Sequence, residues 1–298
     1  MLRRFARKRI AVLGLILVGA ILAMAILAPI LAPYPSLDTN LADSLQSPSA
    51  KHLLGTDNLG KDILSEVLWG ARTSVLIAIT SISAATLLGF VIGATAGYFG
   101  GWIDKILSRL IEMFLAIPRD LLAILLVALL GSTVWNIILA LTIAFWPVTA
   151  RVVRGEYLGL KNRPYVEAAR MVGAGHRSII LGEILPAALP VMVVNATFLT
   201  SQAFLSEAGL SFLGLNDPNV SSWGKMVFNA MPHVRFGWWT AVVPGVAVSI
   251  VVLGLNLAGV GLNEVINPKM SRVSRFSRRQ KRSGVSKLLS IWRTRRAT

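Results

Sequence analysis

Cysteine is absent from the 298 residues. That excludes disulfides, thiolate metal sites and a cysteine nucleophile, and leaves the redox compartment unread. Charge is sparse: 15% of the residues are charged, where a soluble domain carries about 25%. Histidine occurs at three positions, His52, His176 and His233, on different sides by the topology below, and no catalytic constellation emerges. No G-x-x-x-x-G-K-[ST] phosphate loop occurs, so the chain is not itself a nucleotide hydrolase of that type. Acids are few, 14 against 30 Lys and Arg, for a net charge of +16. Such an excess suits nucleic acid, but its placement argues otherwise. The bases gather at the N-terminus, in one central stretch and in the tail, where a cytoplasmic membrane face requires them.

What fills the chain instead is apolar sequence, 54% of all residues. Uncharged or nearly uncharged runs, several of them twenty residues or longer, recur, each enough to cross about 30 Å of hydrocarbon. The reading is an all-α polytopic membrane protein with six transmembrane helices and both termini cytoplasmic. Residues 1–9 form a basic cytoplasmic N-terminus and 10–31 the first span, read as retained because it is too long for a signal-peptide core. Residues 32–72 form an extracytoplasmic segment. Residues 73–265 form the core, with spans at about 73–98, 106–130, 134–150, 187–206 and 238–262. Residues 151–186 form a cytoplasmic loop, 207–237 lie outside, and 268–298 form a basic cytoplasmic tail. By this division, 24 Lys and Arg lie inside and five outside, as the positive-inside bias demands.

The stretch Glu167–Pro186, EAARMVGAGHRSIILGEILP, is polar and Arg-rich between apolar runs. Tyr165, Ala168, Ala169 and Val172 recur at helical spacing as one apolar stripe. Gly173-Ala174-Gly175 reads as a helix break, and Ile179, Ile180 and Ile184 continue a second short helix that Leu185-Pro186 joins to the next span. This is a helix-turn-helix beside a membrane, with an Ala-faced surface that another protein can approach closely.

These residues resemble the EAA loop of ABC-importer permeases. Glu167, Ala168, Ala169, Gly173, Leu185 and Pro186 match its spacing, while Glu183 stands where the family often has His or another polar residue. The segment His52–Asp62, HLLGTDNLGKD, and the stretches Glu207–Gly214 and Ser222–Gly224 resemble the dipeptide/oligopeptide/nickel permeases, C-type subunit. The resemblance implies a type I ABC importer permease fold in a bacterial or archaeal cytoplasmic membrane. It implies a permease subunit rather than an enzyme, forming with a homologous B-type permease a path for peptides or a related small solute. It further implies two cytosolic ABC ATPases, which bind the ATP and Mg, and an extracytoplasmic solute-binding protein; no cofactor is expected in this chain and no nucleic acid. Glu167, Ala168, Ala169 and Gly173 would seat and shape a coupling helix, and Leu185-Pro186 would join it to the fifth span. An alternative from another class is a secondary transporter or channel subunit, which calls for charged midplane sites and broken half-helices in paired repeats.

Arg119 and Asp120 are the charges that hint at that alternative. Charge inside a bilayer is costly and faces protein or water. Adjacent on a helix, the two are expected to point to different sides and take separate partners, either at a break by Pro118 near the cytoplasmic side or on the pathway. Thr80, Ser81 and Ser83 either line a path or bond to backbone carbonyls in helix packing. His52 is expected as a solvated loop residue rather than a metal ligand. In the tail, Leu288, Leu289, Ile291 and Trp292 among bases suit anionic lipid at a membrane surface.

Overall fold

The computed structural model describes residues 9–35 and 38–266; the basic N-terminal residues before Arg9 and the 268–298 tail lie outside the described residues. Apart from one isolated bridge between Thr56 and Asp62, the ordered elements are helical. Nine helices carry the architecture: α1 (Arg9–Leu31), α2 (Ile63–Phe99), α3 (Gly101–Ala116), α4 (Arg119–Leu130), α5 (Val134–Leu160), α6 (Pro164–Met171), α7 (His176–Phe212), α8 (Trp223–Ala230) and α9 (Trp239–Ile266). Five, namely α1, α2, α5, α7 and α9, are long and apolar enough to cross a membrane.

The stretch expected as one span at 106–130 is two helices, α3 and α4, bent by 83°. The cause is local. Pro118 disfavours helical angles at the residue before it, and Ile117 is extended (φ −85°, ψ 128°). At about 1.5 Å per residue, the twelve residues of α4 rise only about 18 Å, short of a bilayer core. Counting the bent pair as one crossing makes six.

The centre of the molecule is the parallel pair α2 and α5. Gly89, Gly93 and Gly97 lie four apart along α2 and meet the backbone of α5 at Trp146, Ala150 and Arg154. With no side chain on α2, the two backbones approach as small-residue helix pairs in membranes do. Ser81 donates to the Ile77 carbonyl (2.6 Å), and its own carbonyl accepts from Thr142 of α5. Of the two readings for Ser81, packing is the one its geometry serves. On the flank, α1 lies against α9 through Gly14, Gly254 and Gly261.

The two ends of the bundle differ. One carries residues 38–62 and 213–237, the other residues 161–175. At the first end, the 52–62 segment is a folded knot. Asp62 caps α2, its Oδ2 accepting from Ser65 N at 2.8 Å and from Ser65 Oγ at 2.9 Å. Asp57 Oδ1 accepts from Leu59 N and Lys61 N, both at 2.8 Å. Gly60 holds a left-handed φ of +74°, and a side chain there would strike the Asn40 carbonyl. His52 is not solvated: it is 3% exposed, its Nδ1 is 3.0 Å from Asp62 Oδ1, and Tyr34 lies beside its ring. Burial raises the Asp57 carboxyl above the ordinary aspartate range, against the two amides that favour its charge. Asp62→Ala therefore removes a helix cap and orphans a buried imidazole, each worth about 1–2 kcal/mol. A thermal-unfolding midpoint lowered by several degrees in detergent is expected, and an unchanged midpoint would show that the knot adds no stability.

The 213–237 segment folds back onto the same end. Trp223 is wholly buried, donating from Nε1 to the Val67 carbonyl (3.0 Å) and from its backbone N–H to Ser74 Oγ (3.2 Å). Glu207, also buried, accepts from Ser211 at 3.0 Å and Ser74 at 3.4 Å. These bonds tie α7, α8 and α2 together across more than a hundred residues of sequence.

Candidate functional site

Two constellations stand out, one at the 161–175 end and one within the bundle. The first begins where α5 ends. Lys161 caps that helix and reaches back so that Nζ donates to the Gly97 carbonyl at 2.9 Å. Arg163, extended ahead of a proline, delivers Pro164 to the first position of α6. Glu167 sits in the first turn of α6, where a carboxylate suits the positive end of the helix dipole. Val166 points inward, completely buried, into a cluster with Tyr157, Ile179, Ile184 and Ala188.

The helix then closes in a Schellman arrangement. Ala174 N–H bonds to the Ala169 carbonyl and Gly173 N–H to the Arg170 carbonyl, both at 3.0 Å, with Gly173 left-handed at φ +83°. The chain re-enters helix at His176. No second short helix ends at Leu185-Pro186; α7 runs unbroken from His176 to Phe212 and passes through a π-helical turn at Ile179–Ile184. Pro186 has no N–H to give the Gly182 carbonyl and its ring would clash there, so the helix widens by one residue ahead of it.

The expected apolar stripe divides. Ala169 is half-buried against the chain's own cluster, whereas Tyr165, Ala168 and Val172 face outward. With them goes Met171, so that the tip of the loop presents two apolar side chains, Met171 at 89% and Val172 at 85% exposure. Glu167 is exposed on the same small helix. The loop is nevertheless held firmly. Tyr157 donates to the Ile180 carbonyl at 3.1 Å. Tyr98, near the end of α2, shares a 2.8 Å hydrogen bond with His176 Nδ1, and the Arg170 guanidinium lies 5.8 Å from the Tyr98 ring. Tyr98 and His176 were not singled out as a pair from the sequence, where 78 residues separate them. Close by, Arg154 clamps Asp104 through two bonds of 2.5 and 2.8 Å, joining α5 to α3.

The second constellation lies at the bend between α3 and α4. Arg119 and Asp120 do not diverge: Arg119 Nε is 3.4 Å from Asp120 Oδ1. The guanidinium also donates to Gln202 Oε1 of α7 and stands 4.4 Å from the centre of the Phe145 ring. Asp120 Oδ1 accepts from Ser206 Oγ at 2.7 Å. Nor is the pair close to the 161–175 end. Gln202 and Ser206 belong to the last third of α7, the part nearer the 213–237 segment, and Phe145 lies midway along α5. The four polar side chains open onto a cleft of about 360 Å³ between α4 and α7, floored by Ala123 and Leu210. Gln202 and Ser206 went unremarked in the sequence, where their only mark was polarity inside an apolar run. Among the described residues no group of three or more His, Asp or Glu is placed to hold a metal.

Residues 89–272 match the family described as binding-protein-dependent transport system inner membrane component. Residues 1–48 match the N-terminal TM domain of oligopeptide transport permease C. The chain is 36% identical over 269 residues to the dipeptide transport system permease protein DppC of Alkalihalophilus pseudofirmus, covering 90% of this chain and 88% of that one. It is 36% identical over 270 residues to the oligopeptide transport system permease protein OppC of Bacillus subtilis, with 90% and 88% covered. To the glutathione transport system permease protein GsiD of Pectobacterium atrosepticum it is 37% identical over 270 residues, with 90% of each chain covered. Among solved structures, a chain of the MetNI methionine ABC transporter in an inward-facing conformation superposes with a TM-score of 0.54 at 19% identity, covering 68% of this chain and 95% of that one. The shared fold is that of an ABC importer permease.

Proposed function

The chain belongs to the family of binding-protein-dependent transport system inner membrane components, a multi-pass permease of the bacterial inner membrane and not an enzyme, and from that premise we propose that it is one half of an ATP-driven importer of peptides or related small solutes. A homologous B-type permease forms the other half of the path. Two cytosolic ABC ATPases dock at the 161–175 end, which is then cytoplasmic together with both termini. A solute-binding protein delivers substrate to the opposite end. ATP and Mg belong to the ATPases, whose closure moves α6; the permease pair then opens outward and receives its solute.

The observation that carries this reading is the loop built on α6. It exposes Met171 and Val172, which water disfavours, on a short helix fixed to three spans by Val166, Tyr157 and the Tyr98–His176 bond. A rigid lever with an apolar tip serves a protein groove. Ala168 and Glu167 flank that tip, and Gly173 shapes its turn; Ala169, Leu185 and Pro186 act from behind by packing and by placing the π turn. The one bent helix pair among the described residues, α3–α4, is a single feature, where a secondary transporter of the inverted-repeat kind uses two.

Co-expression decides it. Expected is stable purification only with a second permease subunit, co-elution of the ATPases, and dipeptide uptake into vesicles that requires ATP. A monodisperse homodimer that accumulates peptide without an ATPase would overturn the reading.

A further inference from the structure

The Arg119–Asp120 cleft is asymmetric in a way that selects charge. Arg119 is the less open of the two charges: it stacks on Phe145, donates to Gln202 and to Asp120, and its side chain is 31% exposed. Asp120 is 64% exposed. Its Oδ1 takes the bonds from Arg119 and Ser206, and its Oδ2 has neither. An aspartate in an apolar slab with a guanidinium behind it and one oxygen free toward a cleft of about 360 Å³ is costly to maintain if it faces lipid. It serves a purpose if it faces a cationic group with N–H donors.

We infer that Asp120 Oδ2 is a transit subsite for the ammonium group of the transported solute, with Arg119, Gln202 and Ser206 as positioning residues that aim the carboxylate. For the identity of the solute this rests on the peptide reading above: the group is a peptide's free amino terminus. Gln202 and Ser206 come from α7, the helix that begins at the coupling loop. Movement of α7 along its axis therefore withdraws both supports from the ion pair at once, and the subsite releases its cation when the lever moves.

The lack of cysteine makes the test clean. Leu205, 52% exposed at the cleft, is changed to Cys in the full complex in membrane vesicles, and labelling of this chain is followed by mass. Two methanethiosulfonate reagents are compared, one bearing trimethylammonium and one sulfonate, each normalised to its rate with a free thiol. Expected is at least fivefold faster reaction of the cationic reagent, reduced to parity or reversed when Asp120→Asn is added. Expected too is slowing by excess dialanine but not by N-acetyl-dialanine. Equal rates for the two reagents, a preference that survives Asp120→Asn, equal effects of the two peptides, or no reaction with either reagent would each overturn the subsite. Dialanine uptake by the complex without the Leu205→Cys change is scored separately. If it is absent the peptide reading fails, while the reagent preference still decides whether the cleft accepts a cation.

Discussion

Changing Met171 and Val172 together to Asp is expected to abolish ATP-driven uptake and to lower ATPase co-purification at least tenfold, at wild-type levels of inserted chain. Both side chains stand almost free of their own molecule, at 89% and 85% exposure. Their removal therefore costs this fold little. In a docked complex each contributes about 1.5–3 kcal/mol by burial, and a carboxylate in their place enters an apolar groove without a partner, costing several kcal/mol more. Tenfold in association corresponds to about 1.4 kcal/mol, so the loss is readily visible in a pull-down. The neighbours behave differently. Ala169→Trp adds volume against the cluster of Val166, Ile179 and Ile184, and is expected to destabilise the chain itself rather than only its docking. Gly173 has open space around it and a φ of +83°. Gly173→Val is then strained by about 1–2 kcal/mol, whereas Gly173→Asn, a residue that tolerates this conformation, is expected to keep most uptake. Retention of both ATPase binding and uptake by the double Asp variant would remove the 161–175 end as the lever.

Gly93→Val is expected to prevent the chain from accumulating as a monodisperse protein. A Cβ at Gly93 would lie 2.4 Å from the Ala150 carbonyl oxygen and 3.0 Å from Val153 Cβ. The first obstacle is backbone, which no rotamer change relieves. Gly89 and Gly97 also meet α5 closely, with a Cβ at 2.8 Å from the Trp146 and Arg154 carbonyls, so separating α2 from α5 at one level opens the other two. Overpacking costs about 1–3 kcal/mol at an adaptable site, and this one is not adaptable. Gly155→Ala, where an added Cβ meets nothing within 4 Å, is the control and is expected to match wild type. The measurement is the fraction of detergent-extracted chain that elutes as a single species. A normal profile for Gly93→Val would mean that the α2–α5 approach is looser than described.

Part of the site was legible because its residues are neighbours in sequence. The six positions of the EAA pattern and the break at Gly173 follow from spacing and from what Gly permits. Which face of α6 is buried was not legible. That depends on Tyr157, Ile179 and Ile184, and the pattern alone placed Ala169 and Ala168 on one surface when they lie on two. His52 failed for a similar reason. A histidine in a turn-rich, polar segment reads as solvated, and only the folding of that segment brings Asp62 and Tyr34 around it. At Arg119 and Asp120 the proline break was visible, but the 83° bend and the convergence of the two charges depend on Gln202 and Ser206, more than eighty residues away.

The sequence by itself determined that this chain lives in a membrane, that helices break at Pro118 and at Gly173, and which loop carries the EAA pattern. These follow from hydrophobic length, charge placement, and the backbone rules of proline and glycine, which act over a few residues. Tertiary structure alone decided which side of each helix is covered, that α7 runs unbroken from His176 through the π turn, and that an ion pair faces a cleft between α4 and α7. The physical reason is that in a bilayer every span is apolar all round. Hydrophobicity then says that a helix crosses but not which face it turns to its neighbours, and that choice rests on steric fit and hydrogen bonds between residues far apart in the chain.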